Sequence, residues 1–148
     1  MLNLSNPLAV NATLHCLTGC AIGEILGLII GTALGLSTLT TVIIAVTLAF
    51  VFGYTLSLMP LVKSGLTLSA ALSIALAADT LSIATMEIVD NFVMLVTPGA
   101  MDAGLVNTLF WVAMSVALVA AFFAALPVNI YLINRGKGHA LTHNHHNH

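Results

Sequence analysis

The stretch HCLTGCAIGEILG, residues 15–27, places an imidazole, two thiols and a carboxylate inside a long apolar run. Thiolate prefers Cu(I) or Zn(II), and imidazole suits copper and zinc as well. Cys16, Cys20 and Glu24 recur every four residues, so a helix carries them along one edge, with His15 beside them. His15, Cys16, Cys20 and Glu24 are therefore the candidate metal ligands, and Cu(I) or Zn(II) is the expected occupant. The same cysteines also read as small buried hydrophobes. A disulfide between residues one helical turn apart is geometrically poor. Glu24 is harder to explain as packing, because a carboxylate midway along a membrane span costs several kcal/mol unless it is paired or protonated.

A second group lies in AADTLSIATMEIVDNFVMLVTPGAMDAG, residues 77–104. On a helix, Asp79, Met86, Glu87, Asp90 and Met94 share a sector about 100° wide. Carboxylates and soft thioethers on one face could line an ion or proton path. Against that reading, Met commonly fills core gaps, and a span starting near Leu66 would leave Glu87 and Asp90 at the membrane interface. The chain has three Lys and Arg residues, Lys63, Arg135 and Lys137, and none is placed to pair with these acids. Protonation, a bound cation, or hydrogen bonds from Asn107, Ser115 or threonines are expected to stabilise them. A third group is the tail GKGHALTHNHHNH, where His139, His143, His145, His146 and His148 could bind metal weakly or form a solvated end.

The elements that must hold these groups follow from hydropathy. Of the 148 residues, 59% are hydrophobic and 5% charged, against about 25% charged in a soluble domain. Such a chain cannot cover a surface facing water. A span needs roughly 20 mostly apolar residues, and four runs qualify: about Pro7–Gly35, capped by Asn6 or Ser5; Ser37–Met59, stopped by Pro60; Leu66 into Val89–Val96, broken by Thr97-Pro98-Gly99; and Ala103–Ile133, with a kink near Pro127. The expected fold is all-α, an integral membrane four-helix bundle over residues 1–135, followed by a disordered His-rich tail over 136–148. The first run lacks a basic leader and extends too far for a cleavable signal.

Gly19, Gly23, Gly27, Gly31 and Gly35 line one face of the first helix as a glycine zipper, against which another membrane helix can approach closely. With four spans, Lys63, Arg135 and Lys137 fall on one side with both termini, which the positive-inside rule makes cytoplasmic. Trp111 and Tyr131 are placed at opposite ends of the fourth span. The net charge of −2 gives no basic surface for nucleic acid. The expected partners are the lipid bilayer and either further copies of the chain or other membrane helices.

The segments HCLTGCAIGE, MEIVDNFVMLVTPGAMDAGL, LFWVAM and PVNIYLINRGKGHA resemble a bacterial integral membrane family designated domain of unknown function 4396. The resemblance covers nearly the whole chain apart from its last few residues. It implies a small multi-helix protein of the bacterial inner membrane, some of whose relatives are described alongside copper proteins, and it carries over no catalytic residue. Many members of that family are expected to have a basic residue where this chain has Ile130, which leaves Arg135 and Lys137 as the main positive cluster. The leading functional expectation is soft-metal binding or transport, copper first. The alternative is a non-catalytic assembly subunit packing through its glycine face. A membrane thiol oxidoreductase fits less well, since one C-x-x-x-C pair lacks the second pair that relays electrons.

Overall fold

The computed structural model describes residues 5–135, so the tail histidines lie outside the described residues. Four helices follow one another, α1 (Pro7–Ala33), α2 (Thr38–Lys63), α3 (Leu68–Val96) and α4 (Thr108–Asn134). Each is long and apolar enough to cross a membrane. At 26–29 residues and ~1.5 Å per residue, they outreach the ~30 Å hydrocarbon core. Large apolar side chains such as Ile22, Val51, Ile88 and Phe123 point outward from all four helices. That surface suits lipid.

The ends of the helices are set by short-range chemistry. Asn6 caps α1, its side chain accepting the Leu8 N–H at 3.0 Å, and Pro7 takes the first helical position, where its missing N–H costs nothing. Ser37 and Thr67 cap α2 and α3 in the same manner. α1 and α2 also stop alike. Gly35 (φ +63°) and Gly65 (φ +100°) adopt the left-handed conformation just past each helix, and the following leucine N–H returns to a carbonyl of the last turn, Leu36 to Gly31 and Leu66 to Leu61. The repeated order Gly-Leu-Ser/Thr thus ends one helix and caps the next in three residues, forcing tight antiparallel hairpins.

Three boundary expectations are corrected. Pro60 does not stop α2, which continues for a further turn to Lys63; proline forfeits one hydrogen bond, and membrane helices tolerate that loss. α4 begins at Thr108 rather than near Ala103, because residues 97–107 form turns that end at the Asn107 cap. Gly35 lies beyond the packed glycine face, with nothing within 4 Å of where its Cβ would be.

The remaining glycines pack as their spacing predicts, and against this chain itself. Gly19 faces Gly53, Gly23 faces Ala49, Gly27 faces Ala45 and Gly31 faces Thr41, an antiparallel register advancing in steps of four. A Cβ at Gly19 would stand 2.7 Å from the Gly53 Cα. α2 supplies the complementary stripe of small residues, and the glycine face is filled within the chain instead of forming an outer surface. α3 and α4 make the second hairpin, and α1 also meets α3 across the bundle. A cluster of Cys16, Cys20, Ala49, Ile83, Met86 and Ala121 draws on all four helices and marks the bundle's middle.

One buried polar contact pins α4 to α1. Asn129 Nδ2 donates to Thr13 Oγ1 at 2.8 Å, while Thr13 donates to the Ala9 carbonyl at 2.7 Å. Asn129→Leu is expected to lower stability in detergent by about 0.6–1.7 kcal/mol, the measured range for interhelical hydrogen bonds in membranes. A chemical-denaturation curve indistinguishable from the parent's would show that the bond contributes nothing.

Candidate functional site

The site is built on α1 and α3, which run parallel because each is followed by a reversal. Their facing residues advance together along the two helices. Cys16 Sγ donates to Asp79 Oδ1 at 3.5 Å, and Cys20 Sγ approaches Met86 Sδ at 4.0 Å. One turn on, the Glu24 carboxyl lies against that of Asp90, with Glu87 beside Asp90 and within reach of Cys20. Cys16, Cys20 and Glu24 climb α1 four residues at a time while Asp79, Met86, Glu87 and Asp90 climb α3. The result is a file of sulfur and oxygen along the interior.

Burial establishes that these groups face protein. Cys16 and Asp79 are completely buried, and Cys20, Glu24, Glu87 and Asp90 are each no more than 6% exposed. Glu24 lies four residues from Cys20, or ~6 Å along the axis from the bundle's middle, and Glu87 and Asp90 stand level with Cys20 and Glu24, inside the bundle.

The expected helpers take other roles. Asn107 caps α4, and Ser115 donates to the Trp111 carbonyl. The acids instead use close neighbours: Asn91 Nδ2 approaches Glu87 Oε2 at 3.5 Å, and Asp79 takes the Cys16 thiol. Glu24 Oε2 and both Asp90 oxygens are buried without a hydrogen-bond partner. Two carboxylates are both acceptors, so the contact between Glu24 and Asp90 becomes a hydrogen bond only with a proton between them.

Several expected members stand apart. His15 is half-buried, and among the described residues no three His, Cys, Asp or Glu side chains converge to hold a metal ion. His15, Cys16, Cys20 and Glu24 therefore share an edge without forming one ligand set. Cys16 and Cys20 are free thiols, each directed to a different α3 residue. Met94 leaves the polar file and packs in an apolar cluster with Ala100, Phe110 and Met114. Beyond that cluster, a cleft of about 240 Å³ lies between the α1–α2 turn and the 97–107 segment, with Leu28, Met101 and Asp102 in its walls.

Two partners were missed from sequence: the small-residue stripe of α2, legible as Thr41, Ala45, Ala49 and Gly53 at four-residue spacing, and the Asn129–Thr13 bond, which no local pattern signals. The family described as domain of unknown function DUF4396 matches residues 7–138, from the first residue of α1 to beyond the last turn of α4. The chain belongs to this family. The DUF4396 match thus spans both strands of the polar file and the whole four-helix architecture, as the resemblance of its segments implied. No curated protein and no solved structure matches the chain.

Proposed function

We propose that this DUF4396 protein binds a soft cation and moves it across the membrane, with Cu(I) as the ion its interior suits best. The observation that carries this reading is the sulfur pair at the bundle's middle, Cys20 Sγ and Met86 Sδ, 4.0 Å apart on different helices. Two sulfurs each ~2.3 Å from one ion, the usual metal–thiolate length, stand ~4.0 Å apart when the angle at the ion is ~120°. Cu(I) accepts such soft, low-coordinate surroundings. Zn(II), which takes four ligands in a closed site, is served less well, since among the described residues no three His, Cys, Asp or Glu side chains converge on one point.

The neighbouring groups extend the pair into a route. Cys16 offers a further thiol one turn below, and Asp79, Glu87, Glu24 and Asp90 supply compensating negative charge along it. The cleft beside Met101 and Asp102 provides an approach from one end. Lys63 and Arg135 mark the other end, where the Arg135 guanidinium sits 5.2 Å from the Tyr131 ring centroid. By the positive-inside rule that end is cytoplasmic, in a bacterial inner membrane, with the His-rich tail able to buffer ions there. A four-span conduit would work as an oligomer, and since the glycine face is occupied by α2, copies would meet through lipid-facing surfaces.

Purified protein titrated with Cu(I) against a competing chelator is expected to take up about one ion per chain, with sulfur ligation visible by X-ray absorption. Cys20→Ser and Met86→Leu should each weaken that binding, and Cys16→Ser combined with Cys20→Ser should abolish it. Unchanged stoichiometry in the double variant would remove the site.

A further inference from the structure

A small cavity between α2 and α3 is not used by the sulfur pair. It measures about 40 Å³ and is bordered by Ser57, Pro60, Ile74, Ala75 and Asp79. Ser57 is 3% exposed, and its hydroxyl has no hydrogen-bond partner. Ser82 on α3 shares that state. Thr47 and Thr55 on α2 return their hydroxyls to the carbonyl four residues earlier, as do Ser73, Thr80 and Thr85 on α3. Ser57 instead lines the cavity. Asp79, on α3, adds a second polar group.

We propose that this cavity holds water, and that the water joins Ser57 to Asp79 and opens the Asp79 carboxyl to solution at the Lys63 end of the bundle. The size suffices, since a site of ~10–15 Å³ on this measure admits one water molecule. The polarity suffices as well, since a buried water needs two to four polar partners, and the Ser57 hydroxyl and the Asp79 carboxyl both border the cavity. Depth agrees: Ser57 is six residues from Lys63, ~9 Å along the axis. On the inner side, the Tyr54 and Thr80 hydroxyls meet at 2.6 Å and tie α2 to α3.

The consequence concerns Cys16. Its thiol donates to Asp79, so a proton leaving that sulfur has the Asp79 carboxyl as its next stop and the cavity water as the one after. This role rests on the soft-cation reading, in which a thiol gives up its proton to bind metal. The hydration itself does not.

The test is metal-free labelling of the full-length protein in lipid nanodiscs. Ser57→Cys and Ala75→Cys line the cavity, whereas Leu76→Cys lies on the exposed face of α3. Hydrogen peroxide, little larger than water, oxidises thiolate, which forms where water reaches the sulfur. Modification is read as a mass change on the peptide carrying the new cysteine, so Cys16 and Cys20 do not interfere. Both cavity cysteines are expected to react about tenfold or more faster than Leu76→Cys, following their thiolate fraction. Rates no faster than Leu76→Cys at both positions would overturn the proposal and mark the cavity as dry or open to lipid. Because no copper is present, loss of the Cu(I) site would leave this result untouched.

Discussion

Gly23→Ala is expected to destabilise the protein by about 1–3 kcal/mol, the usual cost of overpacking a close interface, and Gly23→Leu to prevent the α1–α2 hairpin from closing. The cause is specific. A Cβ at Gly23 would meet the backbone of Leu48 and Ala49, atoms that cannot rotate aside. Relief requires the helices to separate, which loosens the contacts at Gly19 and Gly27 together. In lipid that loss is not offset by a hydrophobic drive, since helix association there depends on close van der Waals packing. A graded series makes the expectation testable. Gly31→Ala meets only the Thr41 side chain, which can yield, and Gly104→Ala meets nothing within 4 Å. Denaturant unfolding in detergent should rank the damage as Gly23, then Gly31, then Gly104. Equal stability of the Gly23 and Gly104 variants would show that α1 and α2 are not packed as described.

The second large effect has the opposite sign. Glu24→Gln combined with Asp90→Asn is expected to raise stability by about 1–3 kcal/mol, the scale of one buried polar group left unsatisfied, while reducing ion transport in proteoliposomes. Three carboxyl oxygens of this pair are buried without partners, and the described cations, Lys63 and Arg135, stand at the Lys63 end of the bundle. An amide pair brings its own donors and needs no shared proton. Cu(I) stoichiometry should be unaffected, because the sulfur pair is a turn away. A double variant less stable than the parent would identify the carboxyls as structural, holding α1 to α3.

Much of the architecture is local and was therefore legible. Hydropathy delimits four spans, Asn6 announces the first helix start, and the four-residue spacing of Gly19, Gly23, Gly27 and Gly31 identifies a face for close packing. The errors at Pro60, Gly35 and Ala103 are errors of degree at helix ends, where one hydrogen bond or one positive φ decides the boundary. Spacing could not distinguish Gly31, inside the packed face, from Gly35, just past the helix.

The candidate site divides the same way. Helical periodicity placed Cys16, Cys20 and Glu24 on one edge of α1, and Asp79, Met86, Glu87 and Asp90 on one face of α3, because 3.6 residues per turn is a property of each segment alone. Which groups meet is not. Cys16 finds Asp79, Cys20 finds Met86 and Glu24 finds Asp90 because two hairpins, each packed in its own register, bring helices more than 60 residues apart in sequence side by side. The tertiary structure likewise assigned the glycine face to α2, since that outcome depends on how the helices dock rather than on any single stretch of chain.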